Sequence, residues 1–231
     1  MRAKDESLYA AEALLRIHDK NGNFISPAEA IPILEESGLI IPVGKWIIQN
    51  AFSMCTECRK YYPEFRVSIN LSYVQILKSP LMMELKQMIE HSGISCSGII
   101  VELTESGYLE GTPAVRSVWN DMKQLRIQIA LDDFGTGYSN LMNISNLEPD
   151  IVKLDRGFTL KALSRSYEYQ LMQYVIEMVH KLNQYVCVEG VETKEDLEKI
   201  KALGPDLIQG YYYSKPCSRD EFLKKFFGYS E

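Results

Sequence analysis

The chain has 231 residues, 46% of them hydrophobic and 24% charged, and a net charge of −6, enough apolar material for a sizeable core in one large domain or two small ones. The acidic balance excludes a general duplex nucleic-acid surface, which needs a positive field. No apolar run is long enough to span a bilayer, and the first residues (Met1-Arg2-Ala3-Lys4-Asp5-Glu6) have no signal-peptide core.

In chain order, short apolar or β-branched runs alternate with longer segments of helical period, the pattern of a parallel α/β fold. Strands are expected at 8–15, 66–71, 99–104, 127–131, 150–154, 185–189 and 206–209, and helices at 42–61, 74–91, 112–125, 167–182 and 194–203. Several strands are nearly continuous in apolar residues, as strands covered on both faces are. In the helix at 167–182, Leu171, Tyr174, Val175, Met178, Val179 and Leu182 recur at helical spacing, which predicts core packing. Cys55-x-x-Cys58 lies inside the helix at 42–61, with no second Cys or His pair at finger spacing, and reads as a helix face. The five cysteines lack disulfide spacing and point to a reducing, cytoplasmic setting, with a membrane-tethered parent protein also compatible. Three histidines leave little material for a His-rich metal site or a Ser-His-Asp triad.

No linker, charge block or internal repeat divides the chain, so one domain over 1–231 is expected. Strands alternating with helices over this length predict a (β/α) barrel with its site at the carboxyl ends of the strands. A closed barrel of this kind needs eight strands, and seven are read here.

The run Ile129-Ala130-Leu131-Asp132-Asp133-Phe134-Gly135-Thr136-Gly137 delivers two adjacent carboxylates from a strand to a turn. Adjacent charges repel, and divalent cations are an economical way to offset that. An isolated Asp-Asp pair is more often a helix cap with its neighbour in water. The other strands, however, also end in polar residues: Glu12, Asn70, Glu102, Lys153, Glu189 and Gln209. Charged groups in covered strands are rarely buried unless paired or coordinated, so together they predict a site. The donors Glu12, Asn70, Glu102, Asp132, Asp133 and Glu189 are all oxygen and suit Mg²⁺ or Mn²⁺, two ions with a bridging carboxylate, an arrangement fit for phosphoester hydrolysis. Lys153 is expected to orient water or stabilise developing phosphoryl charge, and Arg16 to hold a phosphate.

Glu12-Ala13-Leu14-Leu15-Arg16 resembles the signature of the EAL domain, the cyclic di-GMP phosphodiesterase module of bacterial signalling. Further motifs follow in family order: Ser26-Pro27-Ala28-Glu29, Asn70-Leu71-Ser72, Glu102-Leu103-Thr104-Glu105-Ser106, Asp132-Asp133-Phe134-Gly135-Thr136-Gly137, Lys153-Leu154-Asp155, Glu189-Gly190-Val191-Glu192-Thr193 and Gln209-Gly210-Tyr211. The resemblance implies a modified (β/α)8 TIM-type barrel with an antiparallel first strand, and Mg²⁺- or Mn²⁺-dependent hydrolysis of cyclic di-GMP to pGpG. It implies Glu12, Asn70, Glu102, Asp132, Asp133 and Glu189 as metal ligands, Lys153, Glu189 and Glu12 as catalytic, and Arg16, Gln209, Asp155 and Glu192 on the substrate side. Glu105 matches the glutamate that anchors the loop after Asp133, a region that the resemblance links to homodimerisation. The parent protein is expected to carry an upstream regulatory or GGDEF-type domain. The family's first strand bears a Gln-Pro-Ile/Val motif, which is absent from the eleven residues before Glu12. The barrel is therefore expected to be N-terminally short, with its open edge covered by a partner, a swapped segment or local distortion. A chain so shortened is alternatively a cyclic di-GMP receptor without turnover.

Overall fold

The computed structural model describes residues 1–104, 112–136, 144 and 147–228. These residues group into two compact units. The first takes the described residues of Met1–Ala10, Glu102–Tyr108 and Gln128–Glu231, and the second those of Ala11–Val101 and Leu109–Ile127.

In the second unit, strand β1 (Ala10–Ala13) neighbours β4 (Arg66–Asn70), which neighbours β5 (Ile99–Thr104), a strand that supplies residues to both units. A short antiparallel hairpin, β2 (Ile17–His18) with β3 (Phe24–Ile25), was not expected from the sequence, because two-residue strands carry no readable period. Helix α1 (Pro27–Ser37) was also unforeseen, although its signals are present: Ser26 caps it through the Ala28 N–H, Pro27 opens it, and Gly38 closes it at φ 75°. Helix α2 (Ile40–Tyr61) buries Ile40, Gly44, Ile48, Ala51, Phe52, Cys55 and Cys58, so the Cys-x-x-Cys pair is core. The single helix expected at 74–91 is instead two, α3 (Tyr73–Lys78) and α4 (Leu81–Ser92). Pro80 is the reason: its ring drives the preceding residue out of the helical region, and Ser79 sits extended at φ −136°, ψ 159°. Helix α5 (Pro113–Gln124), capped by Thr112, completes this unit.

In the first unit the strands stand in the order β5, β6 (Gln128–Phe134), β7 (Ile151–Leu154), β8 (Tyr185–Val188), β9 (Leu207–Ile208), and the β6–β7, β7–β8 and β8–β9 pairs are parallel. Between and after them lie α6 (Arg156–Ser164), α7 (Ser166–Lys181), α8 (Lys194–Lys201) and α9 (Arg219–Phe227). All four residues of β7 are buried, as a doubly covered strand requires. The helix expected at 167–182 exists as α7, but its buried face is Met172, Ile176 and Val179. Leu171, Tyr174 and Leu182 are exposed, contrary to the expected core packing, because apolar residues cover more than one side of this helix. The outer edge of β9 is partly paired: Arg2 forms an antiparallel bridge with Leu207, and Met1 and Ile208 exchange backbone hydrogen bonds at 2.9 Å.

All five cysteines are free thiols, and no helix among the described residues is long and apolar enough to cross a membrane.

Phe52 is fully buried in α2, so Phe52→Ala removes a large ring from a site with little room to collapse. The unfolding free energy measured in urea is expected to fall by about 3–5 kcal/mol. An unchanged urea midpoint would contradict the packing described here.

Candidate active site

Lys153 lies in the middle of β7, between Val152 and Leu154, and is 3% exposed. An ammonium taken out of water needs partners for its three N–H groups. It donates a hydrogen bond to Glu102 Oε2 at 2.7 Å and forms ion pairs with Glu189 Oε1 at 2.8 Å and Asp132 Oδ1 at 3.2 Å. Glu102 comes from β5, Asp132 from β6, and Glu189 directly follows β8. Strand alternation explains part of this convergence. Lys153 registers with Cys187, and Glu189, two residues further on, returns to the same face.

Adjacent Asp132 and Asp133 are presented by a bulge. Leu131 pairs with Val152 and Phe134 with Leu154, so the two aspartates stand opposite the single residue Lys153. Asp133 takes φ 59°, a left-handed conformation that Asp tolerates better than most residues. Asp132 Oδ1 also accepts the Asp133 N–H at 2.9 Å. Thr136 Oγ1 donates to the Asp133 carbonyl at 3.0 Å, and Gly135, at φ 102°, lies so close to the Phe158 ring that a Cβ would come within 2.9 Å of it. The strand therefore runs three residues past its expected end at 131. Glu105 and the loop from Gly137 onward, with the dimerisation assigned to it, lie outside the described residues.

At the ends of β7, β8 and β9, Asp155 caps α6, its Oδ1 accepting the Gly157 and Phe158 N–H groups at 2.6 and 3.3 Å. Glu192 accepts from Arg156 Nε at 3.1 Å and Nη2 at 2.7 Å, and this carboxylate raises the Arg156 pKa above its ordinary value. The Gln209 backbone bridges Val188 and Val191. Gly210 packs on the Val191 backbone so tightly that no Cβ fits. In the second unit, Asn70 Nδ2 donates to Glu12 Oε1 at 2.7 Å. The Arg16 guanidinium donates to its neighbour's Leu15 carbonyl at 2.9 Å and lies 5.9 Å from the Phe24 ring centroid.

The structure thus brings Lys153, Glu102, Asp132 and Glu189 together, and pairs Glu12 with Asn70. Sequence reasoning missed Arg156, whose only signal is its place next to Asp155. It also missed Glu35, which accepts from Ser72 Oγ at 2.6 Å. Among the described residues no three of His, Cys, Asp or Glu stand as a ready cation cage; the carboxylates converge on the ammonium instead. The donor chemistry nonetheless fits a hard dication, since every donor is oxygen and three carboxylates against one ammonium leave two formal negative charges unbalanced.

The chain is similar to known proteins in sequence and in fold. The profile of the EAL domain matches residues 1–216. The cyclic di-GMP phosphodiesterase PdeF of Escherichia coli (strain K12) is 32% identical over 205 residues, 89% of this chain and 27% of PdeF. The EAL enzyme Bd1971, in its cAMP- and cyclic-di-GMP-bound form, superposes with a TM-score of 0.91 at 29% identity, covering 97% of this chain and 62% of that one. The PaMucR phosphodiesterase in complex with c-di-GMP gives 0.84 at 27% identity, covering 92% of this chain and 86% of that one. The chain spans 25% to 32% of the length of the curated relatives it matches. Its fold is the α/β, TIM-type fold of these structures, as the sequence led one to expect. With the ordered motifs, the strand-end carboxylates and the profile match in agreement, the chain belongs to the EAL domain family.

Proposed function

We propose that this chain is a phosphodiesterase domain that hydrolyses cyclic di-GMP to pGpG with Mg²⁺ or Mn²⁺. The observation that carries the reading is the buried Lys153 ammonium held by Glu102, Asp132 and Glu189. The names of PdeF and of the PaMucR complex support the substrate. The relatives' greater length supports further domains in the parent protein, regulatory or of GGDEF type. The five free thiols support a cytoplasmic setting.

Glu102, Asp132, Asp133 and Glu189 would hold the ions; Glu12 and Asn70 are added to the donor set by the family motifs alone. The chemistry such ions supply when bound is a lowered water pKa and stabilised charge on the attacking and leaving oxygens. Lys153, fixed by three partners, needs no reorganisation to face developing phosphoryl charge, and preorganised charge of this kind is often the largest catalytic term. Glu189 accepts a proton from water. On the substrate side, both backbone bonds to Asp155 use Oδ1 and both Arg156 bonds to Glu192 use Oε1. Asp155 Oδ2 and Glu192 Oε2 are the oxygens left for a ligand, and the family motifs add Gln209 and Arg16 to the substrate side. Homodimerisation through the region after Asp133 belongs to the same proposal.

Incubated with cyclic di-GMP and Mn²⁺, the chain is expected to release pGpG, detected by chromatography, and to stop when EDTA is added. Lys153→Met is expected to lower kcat by roughly 10²–10³-fold, the scale seen for loss of one preorganised donor. Tight binding of cyclic di-GMP with no conversion would replace this reading with the receptor one.

Lys153→Met also strands three carboxylates without their counter-charge. Unfolding in urea is expected to show a loss of about 3–5 kcal/mol. Mn²⁺ is expected to return part of that stability, by neutralising the same oxygens and binding only the folded chain. A variant as stable as the parent, or one indifferent to Mn²⁺, would remove the support for this cluster as the ion site.

A further inference from the structure

Glu35 stands in the last turn of α1 and accepts a 2.6 Å hydrogen bond from Ser72 Oγ, 37 residues away in sequence. A bond this short between a hydroxyl and a carboxylate is of the charge-assisted kind. A serine hydroxyl has one proton to give and two lone pairs to receive with. With its proton committed to Glu35, Ser72 Oγ has only acceptor capacity left, and it spends this on α3, taking the Val74 N–H at 3.1 Å. Gln75 Oε1 returns the arrangement by accepting the Ser72 N–H at 3.1 Å, closing a capping box. Gln75 is itself 4% exposed and rests on Gly44 of α2, where any Cβ would collide with its amide. Ser72 is thereby fixed from α1, α2 and α3 together.

Two residues upstream, within about 7 Å along the chain, lies Asn70, the end of β4 and the donor to Glu12 Oε1 at 2.7 Å. We infer that Glu35 is a positioning residue: by orienting the Ser72 hydroxyl it sets the course of the chain leaving β4, and so the aim of the Asn70 amide at Glu12. As far as an ion is concerned, this inference rests on the function proposed above. The positioning of Asn70 does not.

The test uses Glu35→Ala, Glu35→Gln and Ser72→Ala in the full chain. The side-chain amide resonances of Asn70 are followed in nitrogen–proton correlation spectra without any divalent ion, and Mn²⁺ binding is measured separately by titration calorimetry. Glu35→Ala is expected to move the Asn70 amide pair and to weaken Mn²⁺ binding about 10-fold, the lower end of what loss of a residue behind a ligand does. Glu35→Gln keeps an acceptor oxygen and is expected to stay within about threefold of the parent by the same measure. Ser72→Ala breaks the same bond from the other side and is expected to move the same resonances, which keeps the question answerable if Glu35→Ala does not fold. Unmoved Asn70 resonances in both bond-breaking variants overturn the inference, even if the melting temperature falls, because that pattern is a packing contact and nothing more. A parent chain that binds no Mn²⁺ sinks the ion reading alone; shifted Asn70 resonances then still uphold Glu35 as the residue that aims Asn70.

Discussion

A lysine buried in the middle of a parallel strand must be answered by negative charge, and that requirement organises the first unit. Removing an ammonium from water costs several kcal/mol even after relaxation, a cost that Lys153 offsets with Glu102, Asp132 and Glu189 at 2.7–3.2 Å. Each of the three sits on or just past a different strand. The ion cluster therefore works only if β5, β6, β7 and β8 hold their register, and the apolar residues around Lys153 hold it. Burial and charge act together: the same covered strand that makes the ammonium costly also keeps water from weakening its partners' attraction.

The bulge in β6 serves that geometry. Regular alternation would send Asp132 and Asp133 to opposite faces of the sheet. One extra residue and a left-handed Asp133 re-aim the second carboxylate at the price of local strain, about 1–3 kcal/mol for a non-glycine residue in that region. Thr136, on the Asp133 carbonyl, and the Gly135–Phe158 contact hold the turn in place. Strain retained beside charged groups, and braced by its surroundings, is better explained by a need for those carboxylates than by folding alone.

Much of this could be read from the sequence, and the failures have definite causes. Strand β5 was placed to the residue, because four of its six positions are apolar, two of them β-branched isoleucines at its start. Strand β6 was cut short at 131, since two aspartates look like the end of an apolar run and a bulge leaves no mark in composition. Pro80 was visible, yet the helical period on both sides of it outweighed its veto on Ser79. The cap that Asp155 supplies to α6 was not anticipated, although its position before Arg156-Gly157-Phe158 suits one. Glu35 was out of reach altogether: its partner is set by how α1 lies against the end of β4, and pairings of that kind carry no local signal.

The electrostatics of the first unit also limit what can approach it. Lys153 is already shared among three carboxylates, so it offers a distant phosphate little net attraction, and its four-residue cluster is formally negative. The whole chain carries −6. A phosphodiester would meet repulsion here at long range and a favourable contact only at short range, unless dications first reverse the sign of the cluster. On the function proposed above, ion before substrate is the order that this charge distribution would favour. On that reading, affinity for a cyclic dinucleotide would depend more steeply on divalent cation than on ionic strength, because a bound ion changes the local charge while added salt only screens what is already there.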